Sequence, residues 1–272
     1  MATTSRSTPV RWPPTHTRAT APGRTAMSTT AVTVSTHTEV RTARVGLWPQ
    51  DGRCRLELAN GLVAPRVIRH DATTAEVSLV ATTATLLGGD VLRLAVEVGP
   101  GLRLDLRDVA GTVAYHGRGL GCVVDVSLRV HEGATLTWAA EPLVVADGAE
   151  VTRQLRVDVA EGGRLLLRDQ VALGRSGQDG GRLDCHTTMT YAGRPALVEH
   201  LEVRSGLAPG ALGDARVVDS VTSLGWRPET PAGHTAYRLH EPGALSRQLL
   251  TQSHASTLPD LWDDWTSQLP PI

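Results

Sequence analysis

Glu141 and Pro142 interrupt an otherwise apolar run, LTWAAEPLVVADGAE over residues 136–150. A carboxylate is costly to bury without a partner, and proline cannot donate to a β ladder. The pair predicts that one strand ends here and the chain is re-aimed at an edge or bulge. Glu141 is then presented to water or to a partner, which avoids burying it unpaired. Weak, transient handling of a metal ion by such a carboxylate is chemically open, because oxygen ligands leave no short sequence signature.

Other candidate chemistries find little support. A glycine-rich phosphate loop must open a helix whose N-terminus faces the phosphate, whereas GRGLGC (117–122) runs straight into the strand-like VVDVSLRV and reads as a hairpin loop. No GxSxG occurs, and GRSG (174–177) is a loop after an apolar strand. Cys185 and His186 are adjacent on a predicted strand, so their side chains point to opposite faces and cannot form a nucleophile–base pair. The ten histidines show no HxH, HxxxH or HExxH spacing. His16, His37 and His254 fall in tails or linkers, and His116 and His200 read as surface or satisfied residues. No tight, preformed metal site is visible. Arg153, Arg156, Arg164 and Arg168 alternate with Leu and Val, which predicts a solvated strand face or a surface for an acidic partner. Cys54, Cys122 and Cys185 are odd in number and widely spaced, so a disulfide framework or structural zinc is not expected. Reduced, buried thiols of a cytoplasmic protein are the plain reading.

The elements that must position these residues are mostly strands. The chain has 272 residues, a formal charge of -1, no lysine, no phenylalanine and a single asparagine, Asn60. That charge gives no reason to expect nucleic acid or an anionic membrane surface as a partner, and no apolar run approaches the roughly 20 residues of a membrane-spanning helix. Residues 1–38 contain no Asp or Glu and are rich in Thr, Ser, Ala, Pro and Arg, predicting a disordered low-complexity tail. A transit peptide, or a true start at Met27, are alternatives for that segment. From Glu39 the texture changes to short runs with apolar residues at every second position, among them DVLRLAVEV, VVDVSLRV, RQLRVDVA and RLLLRDQVAL. Period 2 means strands with one face buried. Three strand–turn–strand units turn at Gly99–Gly101, Glu132–Ala134 and Glu161–Gly163 and recur about every thirty residues. The spacing predicts a mainly β fold, a body of stacked hairpins with β-helical-like topology over 39–242. The final segment, 243–272, is expected to be helical: GALSRQLL (243–250) and LPDLWDDWTSQL (258–269) both take helical spacing, with Leu258, Leu261, Trp262, Trp265 and Leu269 on one face.

Four stretches in one order and spacing then carry a family likeness: LLGGDVLRLAVEVGPGLRLDL (86–106), GTVAYHG (111–117), ATLTWAAEPLVVADGAE (134–150) and RQLRVDVAEGGRLLLRDQVALGR (153–175). The chain resembles urease accessory protein UreD, called UreH in some bacteria, most clearly over about 86–225. Gly88, Gly89 and Asp90 match that family's Gly-Gly-Asp. Thr112 and Tyr115 match parts of a Thr-Lys-Val-Tyr segment, Trp138, Glu141 and Pro142 a Trp…Pro-Glu-Pro motif, and Gly174 and Arg175 a Leu-Gly-Arg. Asp184 falls where relatives carry an acidic residue. Departures are Val113 in place of the lysine, His116 in place of an arginine, and Ala140 in place of the first proline; the Pro-Arg-Ile-Trp-like ending is absent.

The resemblance implies a protein that is not an enzyme. It implies a mostly β, elongated scaffold that binds the urease apoprotein and recruits UreF, and through it the GTPase UreG, for delivery of nickel. An internal passage is expected to conduct the ion. No cofactor is expected to bind tightly and nickel only transiently, since an ion held strongly does not move on. Asp90, Glu141 and Asp184 are the residues expected at the passage or at a partner interface. A β-sandwich or solenoid module binding proteins or carbohydrate, unrelated to urease, is the competing reading, although it lacks the clustered exposed aromatics such modules use.

Overall fold

The computed structural model of the chain describes residues 40–83, 86–204 and 209–270; the expected tail over 1–38 lies outside them. Two antiparallel pairs open the described chain, β1 (Thr42–Gln50) with β2 (Arg53–Ala59) and β3 (Val63–His70) with β4 (Thr74–Ala81). Three winding units follow. The first is β5 (Val91–Val98), β6 (Arg103–Asp108) and β7 (Thr112–Ala114); the second is β8 (Cys122–Val130), β9 (Thr135–Ala139) and β10 (Leu143–Val145). The third is β11 (Glu150–Val159) and β12 (Arg164–Leu173). The antiparallel pair β13 (Arg182–Tyr191) and β14 (Arg194–Arg204) comes next, then a short helix α1 (Pro209–Leu212). The chain ends with β15 (Val217–Leu224), β16 (Tyr237–Arg238), β17 (Gly243–Leu250) and helix α2 (Leu258–Ser267).

These strands form two sheets. One has the order β14-β13-β11-β8-β5-β1-β2, the other β16-β17-β15-β12-β9-β6-β4-β3, with β10 and β7 paired beside β12. Within each, strands of successive winding units pair in parallel: β5 with β8 and β8 with β11, β6 with β9 and β9 with β12. The mainly β, β-helical-like architecture is therefore as expected, but the three predicted hairpins are not hairpins. Each reversal carries the chain from one sheet to the other, so its flanking strands bond to the equivalent strands of the neighbouring units. The local signal is the same for both arrangements; which partner takes the hydrogen bonds is decided by stacking. Gly101, Gly133 and Gly162 hold the three reversals at φ values of 66°, 65° and 73°, and they lie over one another, one per unit. A side chain is strained at such angles, so glycine suits this corner. GRGLGC likewise is no hairpin loop, since it links β7 in one sheet to β8 in the other.

Alternation fixes which side chains fill the space between the sheets. On β5, Leu92, Leu94, Val96 and Val98 are buried; Val124, Val126, Leu128 and Val130 of β8 and Val151, Leu155, Val157 and Val159 of β11 continue the wall. Leu104, Leu106, Leu136, Leu165 and Leu167 face them from the other sheet. That second sheet is buried on its outer side too. Leu258, Leu261 and Trp265 of α2, with Leu269 just beyond, cover Leu166, Val221 and Ala244 there. The terminal helix is as expected, with Trp262 at the rim of the apolar face. The helical expectation for 243–250 is corrected: it is strand β17, antiparallel to β15. A short apolar run does not distinguish helix from strand by periodicity. Here the free edge of β15 supplied the partner, with Ala244 packed under α2 and Arg247 turned to the space between the sheets.

Candidate functional site

One row of the inter-sheet core is polar. The register aligns Arg107, Ala139 and Arg168 across β6, β9 and β12, so Asp108, Ala140 and Asp169 form the next row inward. Asp169 lies opposite Ser220 on β15, and Ser220 opposite Arg247 on β17. From the facing sheet Arg153 grips Asp169 bidentately, Nη1 to Oδ2 at 2.6 Å and Nη2 to Oδ1 at 2.8 Å. Glu199 of β14 grips Arg247 in the same manner, with Nη2 to Oε2 at 2.8 Å, while Arg247 Nε donates to Ser220 Oγ at 2.9 Å. Carboxylates and guanidiniums thus cross the molecule perpendicular to the strands, from Asp108 to Glu199.

Two small cavities flank the row and share Asp169. The first, about 80 Å³, is lined by Asp108, Thr112, Trp138, Glu141 and Arg153 among apolar side chains. The second, about 40 Å³, is lined by Thr187, Glu199, Ser220 and Arg247. At the first, Glu141 is exposed at the rim and its backbone N–H donates to Asp108 Oδ2 at 3.0 Å, while Trp138 Nε1 donates to Oδ1 at 3.3 Å. Burial, opposed by those two hydrogen bonds, raises the Asp108 carboxyl from its ordinary 3.8 to about 6. At Arg153 burial alone would lower the pKa, but Asp169 outweighs it and the group is held charged.

The residues singled out in the sequence fall in three places. Thr112, Trp138, Glu141 and Pro142 gather at the rim of the first cavity, where the Thr112 N–H donates to the Pro142 carbonyl at 3.0 Å. The strand does end at Ala139, and Glu141 is exposed, as the Glu-Pro interruption predicts. Gly88, Gly89, Asp90, Tyr115, Gly174 and Arg175 gather at one corner of the coils. Asp90 Oδ2 accepts from the Leu87 N–H at 2.7 Å, the Tyr115 N–H donates to Leu86 O at 2.9 Å, and the Arg175 guanidinium lies 5.6 Å from the Tyr115 ring centroid. Gly88 packs backbone to backbone on Gly117; a Cβ there would come within 2.6 Å of the Gly117 Cα. Exposed Leu87, Tyr115 and Leu120 stand at the same corner. Asp184 is in neither place; it sits on the outer face of β13.

Arg153 is a correction. Expected on a solvated face, it is 6% exposed and points inward. Its parity with Val151, Leu155 and Val157 held the information. The same signal, a charge at an apolar-parity position, marks Asp169 between Leu167 and Val171 and Asp108 after Leu106, and the sequence reading missed all three. Cys54, Cys122 and Cys185 are free thiols. Cys122 is pushed up to about 11 by burial and by Asp90, which keeps it protonated.

The family model of the UreD urease accessory protein matches residues 42–261. This chain belongs to the UreD family. Urease accessory protein UreD 1 of Streptomyces griseus subsp. griseus is 42% identical over 218 residues, covering 78% of this chain and 86% of that protein. A UreD 2 of Saccharopolyspora erythraea is 36% identical over 177 residues, 64% of this chain and 62% of its own. The UreD of Streptomyces avermitilis is 35% identical over 189 residues, 68% of this chain and 74% of its own. UreD is an accessory family rather than a catalytic one, and membership in it rules out a binding module unrelated to urease. Among the described residues no helix is long and apolar enough to cross a membrane.

Proposed function

We propose that this chain is a non-catalytic, cytoplasmic scaffold for urease maturation that binds the urease apoprotein and UreF, with the GTPase UreG held through UreF. Nickel is handed on along the polar row between the sheets. The observation that carries this reading is the run of carboxylates from Glu141 and Asp108 through Asp169 to Glu199, with a cavity on each side of Asp169. Each carboxylate offers one or two oxygens to a hydrated cation, and the Cys185 thiol, 3.8 Å from Arg153 Nη1, is kept protonated by burial. The Arg153–Asp169 pair stands between the two cavities, so passage needs that guanidinium to swing aside and free Asp169. The corner formed by Gly88, Gly89, Asp90, Tyr115, Gly174 and Arg175, with Leu87 and Leu120 exposed beside it, is the surface offered to a protein partner.

Co-expression with a urease operon tests the reading. Glu141→Ala and Glu199→Gln are expected to lower the nickel content and activity of purified urease severalfold while the accessory complex still assembles. Leu120→Asp is expected to lose recovery of partners on pull-down. Wild-type nickel content in Glu141→Ala, Glu199→Gln and Asp169→Asn together, with the folded variants present at normal levels, would overturn the passage.

A further inference from the structure

Asp184 and His186 stand two residues apart on β13, so both project from the outer face, and the β13–β14 register places His200 directly opposite His186. The two imidazoles stack with centroids 4.1 Å apart and planes 11° from parallel. Their Nε2 atoms both converge on one oxygen, Asp184 Oδ1, at 3.0 Å from His186 and 2.8 Å from His200. Among the described residues this is the one group of three or more His, Cys, Asp or Glu side chains whose ligand atoms all lie within 4.8 Å of one another.

We propose that Asp184, His186 and His200 form a binding site for a borderline divalent transition ion, of the Ni²⁺, Co²⁺ or Zn²⁺ class. Metal–ligand bonds of about 2.0–2.2 Å put neighbouring ligand atoms roughly 3 Å apart, which is the spacing already present around Asp184 Oδ1. Two imidazoles and one carboxylate on one face leave further coordination positions open, a set suited to these ions and poorly suited to Mg²⁺ or Ca²⁺, which want oxygen. The backbone is held by consecutive rungs of the β13–β14 ladder, so only side-chain torsions adjust on binding. Side-chain exposures of 47% and 53% for His186 and His200 let a hydrated ion reach the rings directly. A second carboxylate, Glu202 opposite Asp184, is occupied by Arg182 at 3.0 Å and Arg204 at 3.3 Å, which leaves one carboxylate for the ion. The site is separate from the polar row, on the other face of the sheet, and stands or falls independently of nickel passage between the sheets.

The test is calorimetric titration of the full chain, produced without a polyhistidine tag, with NiCl₂ and separately with MgCl₂. One equivalent of Ni²⁺ is expected, weakened at least about tenfold in His186→Ala and in His200→Ala, with no Mg²⁺ binding at the site. Visible absorption of Co²⁺ bound at the same stoichiometry reports nitrogen ligation and should vanish in the double variant. His131→Ala, whose ring meets the single carboxylate of Glu97 at 2.8 Å, should keep full affinity. The substituted side chains are exposed, so melting temperatures should match the wild type. Absence of Ni²⁺ binding by the wild type, or its retention in the His186→Ala/His200→Ala variant, overturns the site. So does loss of binding on Asp108→Asn alone.

Discussion

At the scale of single residues, the polar row is a set of costs met by pairing. Asp169 and Arg247 are tolerable inside because each has a bidentate partner and the hydrogen bonds to go with it. Among the described residues Asp108 is in no ion pair, and burial pushes its carboxyl up to about 6. In the unfolded chain the same group ionises near 3.8, so between these values the folded state keeps a proton the unfolded state has released. Stability contributed this way is complete below the lower value and is lost as pH rises through the upper one. Asp108→Asn removes the titration and keeps one carbonyl acceptor, for the Trp138 or the Glu141 N–H but not for both. Relative to wild type, its unfolding free energy from urea titration is expected to rise by about 2–3 kcal/mol between pH 4 and pH 7. A difference that does not change with pH would show that Asp108 ionises normally.

At the scale of elements, α2 covers Leu166, Val221 and Ala244 on the outer face of the second sheet, beside the Arg168–Asp219–Gln170 cluster. Trp265 is fully buried there, and its indole N–H reaches the Glu229 carbonyl at 3.1 Å, binding the 226–236 connection to the helix. Trp265→Ala removes a large buried side chain from a small second core and is expected to cost about 3–5 kcal/mol, read as a lowered thermal midpoint. A loss below about 1 kcal/mol would mean the helix contributes little to the stability of the sheet it covers. This helix was plain from its spacing because one turn-length repeat of Leu and Trp has no strand interpretation. Strand β17 was not: eight residues with apolar positions at both faces fit either element, and only the open edge of β15 selects the strand.

For the whole molecule, each winding unit bonds mainly to its neighbours, so protection should depend on position in the stack. Amides of β8 and β11, flanked by strands on both sides and facing the main core, are expected to exchange slowest. Amides of the edge strands β2 and β16 should exchange orders of magnitude faster, as followed by hydrogen exchange with mass spectrometry. Equal protection at centre and edge would contradict a neighbour-coupled stack. The sequence by itself determined most strands, the reversal glycines and the terminal helix, because these follow from spacings of two to four residues; β17 and the inward side of Arg153 were the exceptions. It also carried the family likeness, in motifs that the fold brings to one corner and one cavity rim. Tertiary structure alone decided that the reversals bridge two sheets, that Asp108, Asp169, Ser220 and Arg247 share one row, and that His200 meets Asp184 and His186. The row depends on pairing between strands that are distant in sequence, and the histidine cluster depends on the register of one hairpin. A shift of one residue in either would turn those side chains to the opposite face.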